Sequence, residues 1–205
     1  MRKLLIIVAV VFICGLITGV AFYASIPPQQ QQGGLLGGAN AQSPEGTIRA
    51  YLRLDGIVGE SQDVAHRNEI EIVKFSWNDS IPMDDRAHIP IGVAIVDDFQ
   101  ITAQCSKASP VLFQYSALSR QIPKATITLQ RTDSTGASTD FLTWTLSDVL
   151  ITSYTTTYDG TWDSKVTDQI SLSFGKASFR YVPMNPDGTY SSPVEAAYEV
   201  QVPRV

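Results

Sequence analysis

Between Thr47 and Leu54 the apolar residues Ile48, Ala50, Leu52 and Leu54 alternate with Thr47, Arg49, Tyr51 and Arg53. A period of two puts one set on each face of an extended chain, so a sequence written this way folds as half-buried strands. The pattern recurs. Glu69 to Trp77 reads as a second strand, and a slip of its apolar phase between Ile72 and Val73 predicts a β-bulge. Ile89 to Ile101 holds the apolar run Ile91 to Val96, which suits a buried strand or a long packed loop. Lys124 to Arg131 and Phe141 to Tyr154 are strands joined by the polar turn Asp133-Ser134-Thr135-Gly136. Ile170 to Val182 alternates again, and Val194 to Val202 closes the series. Asp159-Gly160 and Asn185-Pro186-Asp187-Gly188 are turn signals.

One segment departs from this period. Ser109-Pro110 offers an N-cap followed by proline at the first helical position. Val111, Leu112, Tyr115 and Leu118 follow at helical spacing, which predicts a helix from Ser109 to Arg120. Many strands and one helix predict an all-β domain, a sandwich or a barrel, with the helix at its side or mouth.

The strands begin only after an N-terminal segment of different character. Arg2 and Lys3 precede the unbroken apolar stretch Leu4 to Ala24. As a helix this stretch would be about 31 Å long, enough to cross a bilayer core. The two basic residues favour the cytoplasmic side, which places the rest of the chain outside. A membrane anchor is preferred to a cleaved signal peptide, because the apolar run is long and Ala39-Asn40-Ala41 lies far beyond it. Residues 26–43 are rich in Pro, Gln and Gly and carry no charge, as a flexible linker does. The expected division is an anchor or signal over 1–25, a linker over 26–43 and a β domain over 44–205.

Charge narrows the partners. The net charge is −5, and with Arg2 and Lys3 set aside the remainder carries 13 basic and 20 acidic residues. An acidic body without basic clusters argues against nucleic acid. Cys14 lies in the apolar stretch, so Cys105 stands alone in the domain and no disulfide within it is expected. Cys105 reads as a small buried hydrophobe.

No catalytic constellation declares itself. His66, in the polar stretch Gln62-Asp63-Val64-Ala65-His66, and His88, near Pro90, lack metal-ligand spacing and read as surface loop residues. Cys105, Ser106 and the histidines form no nucleophile motif. Asp84-Asp85 and Asp97-Asp98 match no calcium loop and read as solvated charges. Asn78-Asp79-Ser80 is a glycosylation sequon, relevant only in a glycosylating compartment. No catalytic, cofactor-binding or metal-binding residue is assigned.

Several segments together resemble the hemolysin-coregulated protein (Hcp) family. They are Tyr51 to Asp63 (YLRLDGIVGESQD), His66, the strand Glu69 to Trp77, and Lys107-Ala108-Ser109-Pro110 entering the helix. Lys124 to Leu129, Leu146 to Tyr154, and Ile170 to Pro183 followed by Asp187-Gly188 continue the likeness in order, over about residues 47 to 200. The resemblance implies an Hcp-like β-barrel of antiparallel strands with one flanking α-helix, assembling into hexameric rings. In type VI secretion such rings stack into a tube whose lumen can carry effectors. Glu60, Ser61, Gln62 and Asp63 match the family's motif and read as a structural loop.

The resulting expectation is a non-enzymatic structural subunit that forms rings or tubes, exported or tethered to the membrane through residues 4–24. Its partners would be copies of itself and secreted effector proteins. Family members assemble in the cytoplasm, and a membrane segment ahead of the domain departs from that pattern. The alternatives are a tube component made in the cytoplasm and then secreted by a type VI system, and a monomeric extracellular module binding a glycan or a protein.

Overall fold

The computed structural model describes residues 46–158, 160 and 165–200. The apolar stretch of residues 4–24, the linker, Asp159 of one turn signal and the end of the last expected strand lie outside them. Among the described residues no helix is long and apolar enough to cross a membrane.

The described chain is all-β with one helix. Its elements are β1 (Thr47–Leu54), β2 (Ile70–Ser76), β3 (Asp79–Ser80), β4 (Met83–Asp84), β5 (Ile89–Pro90), β6 (Ile95–Val96), β7 (Phe99–Gln104), α1 (Ser109–Ala117), β8 (Ile122–Thr132), β9 (Ser138–Thr157), β10 (Thr167–Ser173), β11 (Lys176–Tyr181) and β12 (Val194–Glu199). Eight strands form one antiparallel sheet in the order β10-β7-β2-β1-β8-β9-β11-β12.

The expected barrel needs correction at β9. This strand is 20 residues long and serves two neighbours in succession. Leu142 to Ser147 pair with β11, and Leu150 to Thr157 pair with β10. Because β10 also pairs with β7, six strands follow one another around the core. The sheet nevertheless continues past β9 into β11 and stops at β12, so it is not a plain closed barrel. The alternation from Ile170 to Val182 is split between β10 and β11 for the same reason. At Gly175 the chain crosses Asp148, which holds the left-handed φ of 56°. A Cβ on Gly175 would sit 3.3 Å from the Asp148 Cβ, so a side chain there would crowd the crossing.

The core is made by the inward phase of each strand. Leu52, Phe99, Ile101, Ile127, Leu146, Ile170 and Leu172 are buried, and Leu112 and Tyr115 of α1 pack onto the same cluster. Phe99 is its aromatic centre, with ring centroids 5.6 Å from Trp77, 5.4 Å from Trp144 and 5.9 Å from Phe174. The bulge expected in β2 is present: the pairing with β7 slips between Ile72 and Lys74.

Two local expectations fail for visible reasons. Tyr51 belongs to the polar phase of β1 but is fully buried, because residues 58–69 fold over that face. Gly59 permits the cover: its Cβ would lie 2.2 Å from the Glu69 carbonyl oxygen. The helix is capped by Ala108 and not by Ser109, and it ends at Ala117 because Ser119 turns to φ 49°. Ser109 uses its hydroxyl elsewhere, donating to the buried Asp168. Leu118, expected on the packed face, lies beyond the helix end and is exposed.

Candidate functional site

The segment between β2 and β7 leaves the main sheet as an arm. Strand β3 pairs with β6 and β4 with β5, and none of the four joins the eight-stranded sheet. The ladder is short because Pro82 and Pro90 supply no amide donors. Its tip is closed by Asp84, whose Oδ1 accepts from the amides of Arg86 (2.8 Å) and Ala87 (2.9 Å). Those amides, Ala87 first, hold the Asp84 carboxyl below the usual carboxylate range. His88 closes the turn at φ 53°, with its amide on the Asp84 carbonyl at 2.8 Å. At the root, the amide of Asp97 donates to the Asn78 carbonyl (3.1 Å), and the Asn78 side chain donates to Asp97 (3.0 Å). Trp77 anchors this root in the core, 5.0 Å from Trp144 between centroids.

The run Ile91 to Val96 is therefore largely left exposed by the described residues. Ile81, Met83, Ile89, Ile91, Val93 and Ile95 are 46 to 60% exposed, and only Val96 packs against the core. Directly paired residues share a face, so Met83 stands with Pro90 and Ile89 with Asp84 on the other side. Apolar side chains thus project from both faces of the arm. Folding back onto the sheet could cover only one face; a slot between two surfaces covers both. An apolar patch of this kind marks an interaction site.

A second unsatisfied feature is β12. Among the described residues it pairs only with β11, and all six of its residues are exposed, Val194 at 64%. Its free edge leaves backbone donors and acceptors open to another strand. Glu195 reaches Arg180 of β11 at 3.2 Å across the exposed surface, an ion pair of small energetic weight.

His66 is not a surface residue: it is 5% exposed and stacks on Tyr51 with centroids 4.3 Å apart and planes at 13°. Its Nδ1 lies 3.0 Å from Glu69 and its Nε2 3.0 Å from Asp140 of β9. Burial alone would depress the imidazole pKa, but Asp140 first and Glu69 second raise it. Asp63 anchors the same turn, its Oδ1 accepting from the amides of Ala65 (2.9 Å) and His66 (3.2 Å). Burial would raise that carboxyl; the amide bonds outweigh it and lower it. Within the family motif, Ser61 is buried, and Glu60 accepts from the Lys107 amide at 3.2 Å, which ties the loop to the start of α1. Sequence spacing missed the histidine because its partners stand 3 and 74 residues away.

Cys105 is exposed and not buried as expected, because the chain leaves β7 at Gln104. Asp97 serves the arm's root, and Asp98 accepts from the Thr152 hydroxyl at 2.5 Å. The buried Asp168 accepts from Ser109, from Tyr154 (2.9 Å) and from Thr156 (2.9 Å), so three hydroxyls satisfy it and fasten α1 to β9 and β10. No group of three or more His, Cys, Asp or Glu among the described residues is placed to hold a metal ion.

Comparison with known proteins gives one consistent result. The family described as "Type VI secretion system effector, Hcp" matches residues 51–181. Protein hcp1 of Pseudomonas aeruginosa is 25% identical over 157 residues, which cover 75% of this chain and 96% of that protein. Among solved structures, Hcp1 from Salmonella typhimurium aligns with a TM-score of 0.61 at 26% identity, over 74% of this chain and 94% of that one. A type VI secretion system effector from Yersinia pestis aligns with a TM-score of 0.59 at 28% identity, over 74% and 99%. The all-β sheet with its single helix, and a family match that runs from β1 through β11, place this chain in the Hcp family of type VI secretion proteins.

Proposed function

We propose that the protein is a non-enzymatic building block that assembles head to tail into closed rings, hexameric as the family resemblance implies, which stack into tubes. The observation that carries this reading is the arm of residues 78–97, apolar on both faces and without a covering partner among the described residues. A contact between two different patches repeats from copy to copy, and it closes into a ring when the rotation permits. The arm and the free edge of β12 are two such different patches on one subunit. Effector proteins are the further partners that a tube lumen would take.

Domain organisation follows from the sequence: residues 1–25 act as an anchor or signal, 26–43 as a linker and 44–205 as the assembling domain. This puts the domain outside the cytoplasmic membrane, tethered through residues 4–24 or released. Protease added to intact spheroplasts should then digest the domain. Full protection, together with recovery in the cytosolic fraction, would refute export by this segment and leave loading into a cytoplasmic tube as the route. A monomeric extracellular binding module is the second reading, favoured only by the same exposed arm acting on a foreign partner.

A further inference from the structure

The buried His66 ring lies between two carboxylates from two parts of the chain, Glu69 and Asp140, while a third, Asp63, accepts from the His66 backbone amide. Asp63 and Glu69 belong to the cover of residues 58–69, and Asp140 belongs to β9. A neutral imidazole carries one N–H and one lone pair, so it can donate to only one of two ionised carboxylates. With both ring nitrogens 3.0 Å from a carboxylate oxygen, neutral histidine would set a lone pair against Glu69 or Asp140. The geometry is that of the doubly protonated ring.

We propose that His66 is a proton-operated latch: the imidazolium ties the cover of residues 58–69 to β9, and loss of one proton releases Asp140 and loosens the cover. The remaining groups around the ring do not substitute for that proton. Tyr51 of β1 stacks on it, and burial holds this phenol un-ionised to higher pH. Arg49 of β1, Gln130 of β8 and Asp140 lie side by side across the sheet, so Arg49 is a fixed cation on that face. Arg131 of β8 is engaged with the Phe141 ring, 4.6 Å from its centroid. Arg67 and Glu71, on the loop and on β2, are exposed.

The sign follows from the partners. They favour the cation, so the folded chain keeps the proton to higher pH than the unfolded chain, whose histidine titrates near 6.5. The latch therefore stabilises fully below that value and is lost as pH rises through the raised folded value. Glu60 holds the Lys107 amide, so release of the cover also removes one restraint on the start of α1.

Hydrogen exchange read by mass spectrometry on the full chain in detergent, between pH 6 and 9, tests this independently of assembly. After correction for intrinsic exchange, protection of the 60–68 peptide should fall with pH, by about tenfold per unit of pKa elevation. A β8 peptide in the same sample should stay constant. Asp140→Asn, at a half-exposed position, should shift the step to lower pH. His66→Gln, which cannot titrate, should abolish it. Equal corrected protection at pH 6 and pH 9 would overturn the latch. So would an Asp140→Asn variant with an unmoved midpoint.

Discussion

The arm gives the sharpest mutational test. Replace Ile91 and Ile95 together by serine. They are 60% and 53% exposed, so each still has about half its surface to bury against a neighbour. Full burial of an aliphatic side chain is worth roughly 1.5–3 kcal/mol, which leaves about 1–2 kcal/mol per site and about 2–3.5 kcal/mol for the pair. At ~1.4 kcal/mol per decade, association at each contact should weaken by about 30- to 300-fold. The fold should be nearly untouched, since exposed substitutions away from caps and cores shift stability by about 0.5 kcal/mol or less. Sedimentation velocity gives the first quantity, and urea unfolding followed by circular dichroism gives the second. An unchanged assembly constant in a well-folded variant would refute the role given to the arm. A large loss of stability would instead mean that the arm packs within its own subunit.

Other outcomes follow from the packing. Phe99→Ala removes the residue on which Trp77, Trp144 and Phe174 converge and should cost about 3–5 kcal/mol in urea unfolding. Asp168→Ala leaves three hydroxyls without their shared acceptor and should cost about 1–3 kcal/mol, with increased exchange in the α1 amides. Cys105 should react fully with a thiol reagent in the folded protein; labelling only after denaturation would contradict its exposure.

Much of the fold is visible in the sequence because one side of the sheet is buried. Strict alternation at Ile48 to Leu54 locates β1 at its observed bounds, and the slip at Val73 marks the bulge. Where burial departs from one side, the signal fails. Tyr51 is covered by a loop that periodicity does not see, and Ile91 to Ile95 look like core although they lie in solvent on a projecting arm. Composition cannot distinguish residues that pack within a subunit from residues left for a neighbour. The His66 cluster was illegible for another reason: Asp140 is 74 residues away and meets the ring only because β9 lies beside β8 and β8 beside β1. Ser109 was recognisable as a helix-start residue, but its bond to Asp168 depends on where β10 lies.

The most direct test of the central claim is the mass of the assembling domain in solution. Residues 44–205 contain every described strand and the whole described core. Light scattering over a concentration series should give a closed oligomer, six copies by the family resemblance, whose mass stays constant over a plateau before stacking sets in. A strictly monomeric mass at high micromolar concentration, with a native circular dichroism spectrum, would contradict the account and favour a binding module.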